Sequence, residues 1–306
     1  MNALATTSAR PGAARRRRRR GLTPWLLLSP IVVLISVFMA YPIINVLYTS
    51  FFHKNVVMPW NDGFAGLDNY RRMFFDDPTF WPSLGVTGRW VLVQVTCQLV
   101  VGLVLALIVN ERFRARGPAR ALVFSPWAIS GVLTTSIWLL LYNPSTGIIT
   151  VLEKFGVSSV GFAPLADVDT AFWAAALAEL WRGIPFFAIL LLAEVQSIPH
   201  ELYEAASVDG ASRWRRFWHV TLPHLRNVII LSTLLRGVWE FNNVDLLYTL
   251  TNGGPGTSTT TLPLYVAQVA TISSDFGYGS ALTTVAFVIL LVLSILYLRL
   301  SRLGKD

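Results

Sequence analysis

Long apolar runs recur along this chain, separated by shorter polar connections. Residues 21–52 contain no charged side chain. Residues 83–110 are interrupted only by Arg89, and residues 121–152 are again free of charge. Residues 171–193 enclose Glu179 and Arg182, residues 227–250 enclose Arg236, Glu240 and Asp245, and residues 278–298 enclose no charge. A bilayer is crossed by roughly 20 mostly apolar residues. The pattern therefore predicts six spans, at about residues 25–48, 84–109, 121–142, 171–193, 227–250 and 278–298. Only helices and closed barrels satisfy their backbone in lipid. Barrel strands alternate polar and apolar over about ten residues, and these runs do not, so the expectation is an all-α integral membrane protein.

Composition agrees with that reading. Only 14% of residues are charged and 54% are hydrophobic, against about a quarter charged in a soluble domain. Of the net charge of +8, six units are the arginine run at residues 15–20. That run makes residues 1–20 a basic tail, expected to be disordered, ahead of a membrane domain at 21–306. The apolar stretch after the tail is too long for a signal peptide and lacks a clear cleavage site. Six arginines directly before a span suit an anchor near anionic lipid better than a nucleic-acid arm. Counted outside the spans, 18 Lys and Arg fall on the side of the N-terminus and four (Lys54, Arg71, Arg72 and Lys154) on the other. The positive-inside rule then places both termini in the cytoplasm.

The single cysteine, Cys97, excludes an intrachain disulfide, and His53, His200, His219 and His224 form no zinc-ligand pattern. The chain has no G-x-x-x-x-G-K-[ST] phosphate loop, no H-E-x-x-H and no G-x-S-x-G. It is expected to bind no cofactor and to be no enzyme.

Residues 197–225 break the apolar habit with a charged and aromatic segment on the cytoplasmic side. Ser197, Pro199 and Glu201 read as a helix start, with Ser197 as the cap. Gly210 breaks that helix, Ser212 caps a second one, and Pro223 closes it before the fifth span. An amphipathic helix pair resting on headgroups would use the same aromatics and arginines. Small residues at 205, 206 and 210 would instead let another protein's surface approach closely.

The spacing of Glu204, Ala205, Ala206, Asp209, Gly210, then Val220, Thr221, Leu222 and Pro223 resembles the EAA loop, E-A-A-x3-G-x9-I-x-L-P. That loop marks the membrane subunits of binding-protein-dependent ABC importers. Val220 departs from the usual isoleucine by one methylene. Gly66 to Tyr70 with Asp77 to Trp81, and Trp239 to Asp245 with Leu250 to Gly256, are similar to the carbohydrate-uptake branch, the permeases of maltose, trehalose and glycerol-3-phosphate type. The resemblance implies the type I importer fold, with the EAA segment as a coupling helix docked on an ATPase, through Glu204, Ala205, Ala206, Asp209, Gly210, Leu222 and Pro223. It further implies a second related permease, two ATPase subunits that bind ATP and Mg, an extracytoplasmic solute-binding protein, and the plasma membrane of a prokaryote. No nucleic-acid partner is expected.

Charge inside a span is costly and usually functional. In the fifth span, apolar residues worth about −0.5 kcal/mol each are nearly cancelled by about +3 kcal/mol for each of Arg236 and Glu240. Arg236, Glu240 and Asn243 fall on one helix face, which should line a cavity or an interface. Either Arg236 and Glu240 simply neutralise each other, or Trp239, Glu240, Asn242 and Asn243 line a sugar path, since hydroxyls suit amides and C–H faces suit aromatic rings. Gln94 and Gln98 in span 2 and Trp181 in span 4 are further path candidates, although helix–helix packing explains them as readily. Glu179 and Arg182 are expected to pair. Ser125, Pro126 and Trp127 are expected to kink span 3, with a serine or a neighbouring helix satisfying the carbonyl that proline frees. Two rival readings are weighed: an ion-coupled secondary transporter using Glu179, Glu240 and Asp245, and a membrane-embedded enzyme. No inverted repeat supports the first and no catalytic motif supports the second.

Overall fold

The computed structural model describes residues 23–157, 159 and 161–302, so the basic tail lies outside the described residues. The chain divides into two units, Met1–Asn45 and Val46–Asp306. Helix α1 (Thr23–Ile35) and a π turn (Ser36–Ala40) lie in the first, and α2 (Tyr41–Thr49) continues them across the boundary at Asn45. The apolar stretch Leu27–Thr49 has a mean hydropathy of 2.4, as the first span requires.

The second unit begins with a small hairpin of β1 (Phe52–His53) and β2 (Gly63–Phe64), paired antiparallel with Phe52 opposite Phe64. Helix α3 (Asp68–Arg71) follows, and then α4 (Phe80–Asn110), the second span. Helices α5 (Arg116–Phe124) and α6 (Gly131–Leu141) make the third hydrophobic stretch, with α7 (Ile148–Lys154) beyond it. Helix α8 (Val168–Ser197) is the fourth span. Next come the short α9 (His200–Val208) and α10 (Arg213–Arg216), then α11 (Leu222–Phe241), α12 (Asp245–Leu250), α13 (Leu262–Thr271) and α14 (Phe276–Arg302).

Three π turns share one cause. They cover Ser36–Ala40, Arg72–Asp76 and Phe217–Thr221, and a proline stands two residues after each, at Pro42, Pro78 and Pro223. Proline lacks an N–H and its ring collides with the carbonyl four residues earlier. Widening the preceding turn shifts the bonding by one residue and relieves the clash. Thus Tyr41 and Leu222 each donate to the carbonyl five residues back, and helix continues past Pro42 and Pro223. This corrects the expectation that Pro223 closes the second short helix. The chain stays helical from Arg213 to Phe241, and Pro223 sits in the first turn of α11.

The third span is sharply bent. Its halves, Arg116–Ala128 and Gly131–Leu141, meet at 102°. A 3-10 turn at Ser125–Ala128 carries Pro126, and the Ser125 hydroxyl donates to the Leu122 carbonyl at 3.0 Å. That is the carbonyl left without its helical donor by Pro126. Ser130 then caps α6 through the Leu133 N–H. Residues 125–127 tighten into the 3-10 turn, but the 102° bend itself falls just beyond them, between Ala128 and Gly131, and turns a single rod into two pieces.

The fifth stretch also differs from one rod at 227–250. Helix α11 stops at Phe241, where Asn242 donates back to the Val238 carbonyl at 2.9 Å, and α12 restarts at Asp245. Short polar side chains that bond the local backbone favour such a break. Among the described residues four helices are long and apolar enough to cross a bilayer, or five if the bent pair is one span. The 20 residues of α11 reach about 30 Å, and counting that helix makes a six-span arrangement compatible.

Helix α4 packs most extensively against α8. Gly102 permits this approach, since a Cβ there would lie 2.6 Å from the Phe187 Cβ. Apolar clusters join α4 to α13 and α14 through Phe80, Leu262 and Tyr278, and α4 to α8 and α12 through Trp90, Phe172 and Leu247. A third joins α4, α8 and α11 through Ala106, Phe187 and Leu225. At the end of α4 near Phe80, Asp77 accepts hydrogen bonds from the Tyr265 hydroxyl at 2.7 Å and from Tyr278, and Arg72 pairs with Asp275 at 3.1 Å.

Candidate functional site

Two places concentrate the polar chemistry. The first is the connection from α8 to α11. Ile198 is extended, as a residue before proline must be, and this ends α8. Ser197 therefore spends its hydroxyl inside α8, on the Glu194 carbonyl at 2.8 Å. It does not cap α9. The residue at that cap is Pro199, which makes no side-chain bond there.

Helix α9 ends at Asp209, and Gly210 takes φ +73°, a left-handed conformation that glycine adopts without steric cost. Ser212 then accepts the Arg215 N–H at 3.3 Å and starts α10, as its position suggests. The result is an elbow of two short helices. Glu204, Ala205, Asp209 and Gly210 lie exposed on it, and Ala206 is half-buried. Leu222 is half-buried and Pro223 exposed just beyond. Val208 is 88% exposed and Trp214, although it touches Phe217 and Trp218, is 70% exposed, so the elbow offers largely uncovered apolar side chains. Behind it, the Tyr203 hydroxyl meets the Thr221 hydroxyl at 3.0 Å and ties α9 to the turn before α11.

The second place is a closed polar network between α4, α8 and α11. Arg236 Nη2 lies 2.7 Å from Glu240 and 2.8 Å from Glu179. Arg182 holds Glu179 from its own helix at 2.9 Å. Gln98 accepts from Arg236 Nε at 2.7 Å and donates to Glu240 Oε1 and to Gln94, each within 3.0 Å. Gln94 donates on to the Ala176 carbonyl at 2.9 Å. The Trp90 indole donates to Glu240 Oε2 at 3.0 Å, and Asn243 reaches the same oxygen at 3.3 Å. Two carboxylates and two guanidiniums balance, and each carboxylate oxygen has a donor. Gly183 makes room, since a Cβ there would stand 2.3 Å from Gln98.

The expected pair of Glu179 with Arg182 is present, as is the pair of Arg236 with Glu240, one of the two readings of the fifth span, and Arg236 additionally links them across helices. Gln94, Gln98 and Glu240 are buried within the chain. Trp239 and Asn242 are exposed, while Asn243 and Trp181 are half-buried. Trp239 packs on Phe186 at 5.3 Å and Trp181 on Trp138 at 6.1 Å. The structure thus divides the path candidates into an inner group wired together and an outer group on the surface of α8 and α11. Sequence reasoning missed Trp90, although Trp90, Gln94 and Gln98 stand four residues apart on one face of α4.

The family model of the binding-protein-dependent transport system inner membrane component matches residues 98–303, which include the elbow and the network from Gln98 onward. The chain belongs to this family. It is a permease, a transport subunit that crosses the membrane several times. Over 283 residues the permease is 38% identical to the trehalose/maltose transport system permease protein MalF of Thermococcus litoralis, covering 92% of this chain and 94% of the relative. It is 37% identical over 278 residues to the sulfoquinovosyl glycerol transport system permease protein SmoG of Agrobacterium fabrum, covering 90% and 89%. Its fold matches that of a bacterial ABC transporter involved in the import of the acidic polysaccharide alginate. The TM-score is 0.81, with 21% identity over 94% of this chain and 98% of the other. The type I importer architecture expected from the EAA spacing is therefore the fold of the permease.

Proposed function

We propose that this permease forms half of an ATP-driven import path for a sugar or oligosaccharide. It works with a second related permease, two ATPase subunits that bind ATP and Mg, and an extracytoplasmic solute-binding protein, and both of its termini are cytoplasmic. The exposed elbow at Gly210 carries this reading: two short helices presenting Val208, Trp214 and Glu204, on a chain with no phosphate loop of its own. Such an elbow suits docking into a groove on a nucleotide-driven partner. Relatives named for trehalose, maltose and sulfoquinovosyl glycerol support a sugar or glycoside as cargo. The exposed Trp239 and Asn242 supply the aromatic face and amide that a sugar needs.

Ion coupling finds less support. Glu179 and Glu240 are both held by arginine, which leaves neither carboxylate free to carry a coupling ion. Reconstitution with the partner subunits tests the proposal, using labelled maltose and trehalose. Uptake should require ATP and binding protein and proceed without an ion gradient. Uptake driven by a gradient alone would overturn it.

A further inference from the structure

Beside the elbow lies a cavity of about 940 Å³ that docking to an ATPase does not explain. It opens between the ends of α4 and α8 and the start of the elbow, and it gathers Arg112, Arg116, Arg120, Arg213 and Arg216 with a single acid, Glu111. Among the described residues none of these five arginines forms an ion pair. Arg116 and Arg120 each give only their Nε, at 3.0 and 3.3 Å, to the Val109 carbonyl. Arg120 Nη2 is buried and has no hydrogen-bond partner. A buried cationic donor without an acceptor is costly, and five guanidiniums in one concavity repel one another unless an anion sits among them.

We propose that this cavity binds a phosphate-bearing anion. Guanidinium forks match phosphate oxygens two at a time, which lysines do not. The volume lies at the upper end of the range for small-molecule sites, about 300–1,000 Å³, so it admits a substituted phosphate. Its place at the ends of two spans sets it at headgroup depth, and Leu107 and Phe217 add apolar lining for the start of an acyl chain. Basic pockets between spans hold anionic headgroups in this way. A bound phosphate would join the α4–α5 connection to the elbow and fix the angle at which the elbow leaves the spans. The inference goes beyond sugar transport and depends on the membrane placement of the spans, not on the cargo.

The test uses the full chain purified in detergent and placed in nanodiscs of phosphatidylcholine with graded phosphatidylglycerol. Native mass spectrometry counts retained lipid, and phosphorus NMR line broadening reads inorganic phosphate added separately. The parent chain should retain phosphatidylglycerol over phosphatidylcholine. Arg112→Gln with Arg213→Gln removes two arginines whose side chains make no hydrogen bond or ion pair among the described residues, so folding is not at issue, and should lower retention at least fivefold. Arg116→Gln with Arg120→Gln should do the same. Arg215→Gln, on the same elbow but outside the cavity, should change nothing. Phosphate broadening that is lost in the same variants, without lipid retention, would keep the site and assign its anion to the soluble phase. The proposal is overturned if neither probe binds, or if Arg215→Gln weakens binding as much as the cavity variants. It is equally overturned if the cavity variants lose only the ATPase, which would make the cavity a seat for an acidic protein segment.

Discussion

Arg236 and Glu179 stand on different helices and meet at 2.8 Å, and the same guanidinium nitrogen also touches Glu240 at 2.7 Å. One arginine thus bridges two buried carboxylates, and Arg182 supplies the second positive charge. Removing it as Arg236→Met leaves only Arg182 to balance them and should destabilise the chain by about 3–5 kcal/mol, the usual cost of breaking a buried pair. Adding Glu240→Gln should recover part of the loss. Thermal unfolding in detergent, followed by tryptophan fluorescence, measures both. An Arg236→Met chain as stable as its parent would show that the network contributes nothing.

Close helix approach makes a second expectation. A Cβ at Gly102 would meet the Phe187 Cβ at 2.6 Å and the Ala188 nitrogen at 3.1 Å, and one at Gly183 would meet Gln98 at 2.3 Å. Either alanine should cost about 1–3 kcal/mol as overpacking. Gly237 lies in α11 with nothing within 4 Å, so Gly237→Ala should be neutral, or stabilising by up to about 1 kcal/mol from helix propensity. The same unfolding assay ranks all three.

Gly210 separates backbone from contact. A side chain there would touch nothing, but φ is +73°. A β-branched residue should cost about 1–2 kcal/mol and move the elbow, whereas asparagine tolerates the conformation. Gly210→Val and Gly210→Trp should leave membrane assembly intact and abolish stimulation of the partner ATPase, with Gly210→Asn close to the parent. Equal ATP turnover in all of them would remove the docking role.

The two groups of path candidates should part company. Trp239→Ala is expected to lower sugar uptake by about 3- to 10-fold, the loss of one aromatic contact of about 0.5–1.5 kcal/mol, with little change in unfolding temperature. Gln98→Ala should lower the unfolding temperature first, because it removes partners from Arg236, Glu240 and Gln94 together. Uptake and unfolding temperature are measured on each variant. If Trp239→Ala transports normally, that face is not part of the path.

Orientation is read by labelling. In a Cys97→Ser background, Arg213→Cys should react with a membrane-impermeant thiol reagent only from the cytoplasmic side, and Lys154→Cys only from the other. The reverse result would turn the elbow away from any supply of ATP.

Much of this molecule was legible because apolar length is a strong signal. The helices at Phe80–Asn110, Val168–Ser197 and Phe276–Ser301 enclose the stretches read from hydropathy. What hydropathy hides is direction. Pro126 and Ser130 turn the third stretch by 102° with no loss of apolarity, and Asn242 to Asp245 stop α11 while apolar residues continue to Leu250. Helix α13 is too short to register as a span. At the elbow, Gly210 and Ser212 were readable from local backbone chemistry, but the roles of Ser197 and Pro223 depended on where neighbouring helices end. Pairs three or four apart, such as Glu179 with Arg182, lie on one helix and can be read directly. The bond from Arg236 to Glu179 joins residues 57 apart, and no periodicity announces it.

The wiring of that interior also sets where a hydrated solute can go. Gln94, Gln98 and Glu240, buried where α4 and α11 face α8, are already engaged by neighbours of the same polypeptide, so among the described residues the middle of that interface leaves none of these three groups open to a hydrated solute. On the proposed function, the expectation is that a polar cargo travels along a seam that this surface makes with something else.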